Sequence, residues 1–334
     1  MHICNINQAR GHLPRRIAAT VAVVLAFSFL NISVAQNYPD RPVRLVVGLA
    51  PGGGVDFIAR TLGPKLSDGW SQPVVVENRP GANGIIGTEY VAKSKPDGLT
   101  VLIVNSAHAI NPGFYRKLPY NTQADLDAVT LLAQYPFLLI VHPALPARTV
   151  KELIAVAKAR PGQLVYGSSG NGSAPHLGIE IFKSMANVNI LHVPYTGAGP
   201  AITNIVSGEL QLMLLNLAPV KGLLQTGRLR ALAIASPARS SGLPDVPTAT
   251  ESGLPGFNVV GWYGMLLPAG VLQAVRAKLH ADVVRALRSE DIKQRWSSEN
   301  TEPVGNTPDQ FSAFLKSETA KFSGVINRIG IKAD

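Results

Sequence analysis

Residues Leu49 to Arg60, reading LAPGGGVDFIAR, constrain this chain more than any other stretch. An apolar, β-branched run, Val43 to Val47, leads straight into three consecutive glycines, and an apolar/polar pattern of helical period follows at once. Chains are built this way where a backbone loop approaches a ligand closely and offers it bare N–H groups at a helix N-terminus. Glycine permits the backbone angles and the proximity, and the helix end carries partial positive charge that favours an anion. The design recurs after Tyr166, where Gly167 to Leu177, GSSGNGSAPHL, opens a second helical pattern. Two such loops in one chain suggest two lobes gripping one small anion.

The N-terminus points to export. Arg10, Arg15 and Arg16 form a basic region with no acid before Asp40, Ile17 to Leu30 is almost unbroken apolar sequence, and Ser33-Val34-Ala35 supplies small residues for a peptidase. The apolar run is shorter than the roughly 20 residues that span a bilayer, so residues 1–35 are expected to be a cleaved signal peptide directing the chain to the periplasm. The residues around Arg15-Arg16 do not support twin-arginine export. Cys4 is the only cysteine and precedes the apolar core, so the exported chain has no disulfide framework, cysteine nucleophile or thiolate metal site. Removing 35 of 334 residues leaves 299, a length for about two domains.

The formal charge of +10 includes the three signal arginines, leaving +7 on the exported chain. Its lysines (Lys93, Lys95, Lys117, Lys151, Lys158, Lys183) are scattered, with no aromatic-interleaved basic stripe. That excludes a nucleic-acid surface and leaves a mild field favouring anions.

Beyond the signal, short apolar runs alternate with helical patterns, which predicts an α/β fold. Strands are expected at Val43–Val47, Val74–Glu77, Thr100–Val104, Leu138–Val141, Leu164–Tyr166, Ile190–Val193, Leu210–Leu215, Leu229–Ala235 and near Val259–Leu267. Helices are expected at Val55–Ser67, Gly87–Lys95, Thr149–Arg160, Pro175–Met185, Pro200–Ser207, Val220–Thr226, Leu272–Arg288 and Thr307–Ile329, with Thr149 and Glu152 forming a capping box. Ligands sit at the carboxyl edge of parallel strands. Those ends, Leu49–Asp56, Asn105–Asn111, Gly167–His176 and Pro194–Pro200, are rich in neutral hydrogen-bonding residues, and Asp56 is their only acid.

Enzymatic readings fail on residue types. Gly54 is followed by Val55-Asp56 rather than the Lys-Ser/Thr of a P-loop. Gly167, Gly170 and Gly172 have the dinucleotide spacing reversed, and Asn171 replaces the second glycine that a nucleophile elbow at Ser169 needs. His108 and His176 fall on the expected ligand loops, where a donor role fits; His192 and His280 fall on a strand and a helix and read as structural. No histidine pair has metal-ligand spacing, and carboxylates near the cleft are too few for paired acid–base work.

Nearly the whole exported chain, from Tyr38 to Ile329, resembles the Bug/TctC family of periplasmic solute-binding proteins of tripartite tricarboxylate transporters. The matching segments are Ala50 to Arg60, Val76 to Ala82 (VENRPGA), His108 to Pro112 (HAINP), Gly167 to Leu177, His192 to Gly197 (HVPYTG) and Leu243 to Thr248 (LPDVPT). The resemblance implies a two-lobed, type II-like periplasmic-binding-protein fold, each lobe a mixed sheet flanked by helices, joined by two crossing connections. Residues 36–136 with 238–334 would form one lobe and 137–237 the other. It implies capture of a carboxylate in the cleft, by backbone N–H groups and ordered waters, and delivery to integral-membrane permease subunits. The binding set it implies is Leu49, Pro51, Gly52, Gly53, Asp56, Ser106, Ala107, His108, Ser168, Ser169, Gly170, Ser173, His176, Tyr195, Thr196 and Asn204, with no metal or cofactor, in a monomer that is not an enzyme. Asp56 is expected to brace its loop more than touch the anion. Asn204 and Leu215 stand where members often carry aspartate, which would disfavour amino-acid ligands. A sensory component docking on a regulatory protein, or a periplasmic enzyme acting on a carboxylate, are the alternative readings.

Overall fold

The computed structural model describes residues 38–240 and 242–331; the expected signal peptide lies outside them. Two sheets organise the chain. The first six-stranded sheet begins with β1 (Val43–Val47), followed by helix α1 (Gly54–Trp70) and β2 (Val74–Asn78). A 3-10 turn at Ala82–Gly84 leads into α2 (Ile85–Ala92), β3 (Thr100–Asn105), α3 (Ala107–Phe114) and β4 (Leu126–Pro136).

The chain then enters a second sheet through β5 (Leu138–Val141). There follow α4 (Val150–Ala159), β6 (Val165–Ser168), α5 (Ala174–Ala186), β7 (Leu191–Pro194), α6 (Ala198–Ser207), β8 (Leu212–Leu215), the short α7 (Lys221–Gln225) and β9 (Arg230–Ile234). It returns through β10 (Val260–Pro268), α8 (Gln273–Leu287), α9 (Glu290–Ser297), β11 (Glu302–Pro303) and α10 (Pro308–Ile329). Strand order is β11-β4-β10-β3-β1-β2 in one sheet and β7-β6-β8-β5-β9 in the other. β1 is parallel to β2 and β3, and β6 to β7 and β8, while β10 and β5 run antiparallel to their neighbours. Both sheets are therefore mixed.

Alternation explains how the second sheet is covered on both faces. Leu138, Ile140, Met213 and Leu215 pack with Ala201 and Ile205 of α6, whereas Leu139, Val141, Leu212 and Leu214 join the larger core with Leu177 and Phe182 of α5. The crossing segments lie side by side: Phe137 N–H donates to Val259 O, and Ala235 N–H to Phe137 O at 2.8 Å. The site loops follow β1, β3, β6 and β7, at the carboxyl ends of the parallel strands.

Several elements depart from the sequence reading. β4, eleven residues long, was not expected, because its sequence LDAVTLLAQYP mixes polar and apolar residues without a period of two. α3 replaces an expected loop, since Asn111 and Pro112 inside it read as breakers. At α4, Thr149 Oγ1 accepts from Glu152 N–H at 3.2 Å, but the Glu152 carboxylate accepts from Arg148 N–H at 2.6 Å, so the capping box is displaced by one residue.

Candidate functional site

The first loop presents its backbone outward. Pro51, Gly52, Gly53 and Gly54 are exposed, and the N-cap Gly53 supplies no side-chain cap to α1. The N–H groups of Gly54, Val55 and Asp56 therefore begin a helix without intrahelical acceptors, at its positive end. Gly52 takes φ +81° with open space beside it, a conformation that favours glycine. Gly54 is different: the Tyr263 hydroxyl fills the space a side chain would need.

Asp56 faces into this loop. It is buried, and Oδ2 accepts from Gly52 N–H at 2.9 Å and from Arg60 Nε at 2.8 Å. Oδ1 accepts from Asn78 Nδ2 at 3.0 Å, and the same amide donates to Leu49 O at 3.1 Å. Burial alone would push the Asp56 carboxyl up, but bonds from Arg60, Gly52 and Asn78 outweigh it and hold the group below the usual carboxylate range. One carboxylate thus ties the glycines to the start of α1 and to the end of β2.

Tyr263 on β10 and Tyr135 on β4 are both buried, their rings 4.9 Å apart. These are the strands that carry the chain between the sheets, so the pair lies under the first loop at the crossing. Burial pushes the Tyr135 phenol up to about 12, and burial with the neighbouring Tyr135 pushes the Tyr263 phenol well up, so both are neutral hydroxyls.

At the third strand end, Ser106 and Ala107 are buried, and Ala107 N–H is taken by Asn105 Oδ1 at 3.1 Å. His108 is buried with no hydrogen-bond partner on either ring nitrogen, and its ring is parallel to that of Tyr120 at 6.4 Å. It lines a cavity of about 20 Å³ with Leu49, Asn83, Asn105 and Asn111, room for one water-sized group. Burial pushes the imidazole down to about 4, so it is neutral near pH 7. Asn83 and Asn111 are joined reciprocally: Asn83 Nδ2 donates to Asn111 Oδ1 at 3.0 Å, and Asn111 Nδ2 to Asn83 O at 3.2 Å.

The second loop is knitted by its own hydroxyls. Ser168 Oγ accepts from Gly170 N–H at 3.2 Å, and Ser173 Oγ donates to Gly170 O at 2.7 Å. Ser173 is the N-cap of α5, and His176, in the first turn of that helix, accepts Gly172 N–H on Nδ1 at 3.1 Å. His192, expected only to pack, stands 2.7 Å from Ser168 Oγ through Nε2. The pairing comes from the parallel register of β6 and β7, which no local motif encodes. Ser168 is fully buried, and the nearby Glu180 carboxylate is engaged by Tyr166 and Lys183 rather than by His192.

The first sheet's side touches the second loop directly. Asn83 Nδ2, from the first sheet's side, reaches Gly172 O at 3.5 Å, and the Phe114 ring packs against Gly172. Tyr195 N–H donates to Ser168 O at 3.1 Å, and Tyr195 Oη accepts from Asn204 Nδ2 at 2.6 Å. Thr196 is exposed beside the uncapped Gly197 that starts α6, while Leu215 is buried in the core of the second sheet. Sequence reasoning assigned no role to Asn78, Asn83, Phe114, Tyr135, Tyr263 or, at the second loop, His192. The one local signal was Asn83 before Gly84, a turn pair that accepts left-handed backbone. Among the described residues no group of His, Cys, Asp or Glu is placed to hold a metal ion, and no helix is long and apolar enough to cross a membrane.

The family described as tripartite tricarboxylate transporter family receptor, TctC, matches residues 58–331. Protein BugT of Bordetella pertussis is 35% identical over 320 residues, covering 95% of this chain and 98% of BugT. Among solved structures, a Rhodopseudomonas palustris protein with adipate is 35% identical with a TM-score of 0.82, covering 88% of this chain and 99% of that one. MatC of R. palustris with bound malate is 30% identical with a TM-score of 0.78, covering 86% and 100%. The periplasmic binding protein BugD is 30% identical with a TM-score of 0.80, covering 89% and 100%.

Proposed function

Because this chain belongs to the tripartite tricarboxylate transporter receptor family, we propose that it captures a small carboxylate in the cleft between its two glycine loops and delivers it to integral-membrane permease subunits. Among its relatives of known structure, BugD is a periplasmic binding protein, and two others hold the dicarboxylates adipate and malate. The observation that supports the reading is the pairing of an uncapped helix N-terminus at Gly53 with a second glycine loop that Asn83 reaches from the first sheet's side.

Residues 36–136 with 238–334 act as one lobe and 137–237 as the other, in the periplasm after loss of residues 1–35. A carboxylate meets N–H groups from both lobes only when the cleft is closed, so it shifts the population toward closure. Gly52, Gly53 and the first turn of α1 hold one side of the anion, and Ser169, Gly170 and the start of α5 hold the other. Native mass spectrometry of the purified protein, followed by calorimetry with adipate, malate and other carboxylates, tests this. A co-purifying acid and saturable binding are expected. Absence of binding across aliphatic, hydroxy- and aromatic acids overturns the reading.

A further inference from the structure

The second loop is held by two rings that belong to different elements. His176 projects from α5 and His192 from β7, and their rings stack with centroids 4.0 Å apart and planes within 10°. Tyr166 of β6 covers the other face of His192 at 4.7 Å and 22°. Nδ1 of His176 accepts Gly172 N–H, so the proton of the neutral ring sits on Nε2. His192 holds Ser168 Oγ, which in turn holds Gly170 N–H. Alternate N–H groups of the loop, those of Gly170 and Gly172, are thereby drawn inward. Those of Ser169 and Asn171 have no acceptor among the described residues, and Asn171 is exposed.

We propose that His176 and His192 are positioning residues for carboxylate capture, a stacked and uncharged pair that turns Gly170 and Gly172 inward and leaves the Ser169 and Asn171 N–H groups for the anion. The proposal rests on the two-loop reading above. A proton on Nδ1 of His176 removes the acceptor for Gly172 N–H. Two charged rings at 4.0 Å also repel. The surroundings do not offset this. Lys183 of α5 stands 5.6 Å from the Tyr166 ring, and the Glu180 carboxylate beside it is held by Tyr166 Oη and Lys183 Nζ, each at 2.6 Å. Burial pushes His176 down to about 4, with Glu180 opposing and Lys183 assisting; burial, His176 and Lys183 push His192 to about 3.

One arm of the test needs no ligand. Histidine ¹⁵N NMR of the purified protein should show His176 unprotonated at Nδ1, and the protection factor of the Gly172 amide, its exchange rate corrected for the intrinsic pH dependence, should fall as the rings take up protons on acidification. Ordinary titration near 6.5 with no response at Gly172 overturns the proposal. The second arm uses adipate and malate as probes. His192→Phe keeps the stack and loses the bond to Ser168, and His192→Gln restores a hydrogen-bonding group. Affinity for a probe that binds the wild type should fall roughly tenfold in the first variant and recover in the second, with similar melting temperatures. Equal affinity in His192→Phe and wild type overturns the proposal. If the wild type binds neither probe nor any acid of the wider panel, the carboxylate reading falls and the capture role with it, while the NMR arm still decides whether the pair shapes the loop.

Discussion

Phe114, at the end of a helix on the first sheet, packs against Gly172 of the second loop so closely that a Cβ at residue 172 would lie 2.6 Å from its ring. Gly172 also takes φ +71°, which an L side chain adopts at a cost. Gly172→Ala should therefore cost about 2 kcal/mol of stability and weaken carboxylate binding more than Gly199→Ala, a position with open space. Urea unfolding and calorimetry on both variants read this. Equal effects would mean that the Phe114 contact does not shape the loop.

Asp56 collects donors from Gly52, Arg60 and Asn78, so Asp56→Ala leaves the loop without its tie. A loss of about 1–3 kcal/mol in unfolding free energy is expected, together with weaker binding, and Asp56→Asn should recover part of both. Calorimetry showing unchanged affinity in Asp56→Ala would remove the bracing role.

Stability should fall on acidification well before carboxylates titrate. His108, His176 and His192 all have folded pKa values below the ordinary 6.5, at about 4, about 4 and about 3. The unfolded chain therefore takes up protons first. The contribution is complete above about pH 6.5 and is lost progressively as pH falls through the folded values. His108 alone accounts for roughly 3 kcal/mol. Denaturant midpoints measured from about pH 7 to about pH 4 should decline in wild type and decline less in His108→Gln. A flat wild-type profile contradicts the assignment.

Asn204 spends its amide on the Tyr195 hydroxyl, and Leu215 lies in the core, so neither offers a carboxylate to a ligand amine. Thermal-shift screening should show stabilisation by acids lacking an amine. Strong stabilisation by aspartate or glutamate alone would reverse this preference.

The sequence announced the parallel strands and their loops because β-branched runs such as Val43–Val47 and glycine clusters are local signals. β4 went unread because long-range pairing with β10, rather than any alternation of its own, holds it in the sheet. The same limit applies to the site. The glycine run was legible as backbone freedom beside a ligand, which Gly52 uses at φ +81°, but Gly54 owes its identity to Tyr263, more than two hundred residues away. His192 looked like a strand residue because its partner, Ser168, becomes visible only once β6 and β7 are placed in register. His176 was expected as a donor to ligand, whereas its Nδ1 accepts from the loop itself.

The central claim is that both glycine loops hold the same carboxylate. Amide NMR during titration with the acid that binds most tightly tests it directly. Resonances of residues 52–56 and 168–173 should shift together and saturate at one equivalent. Saturable binding that moves only one loop, or neither, would contradict the account.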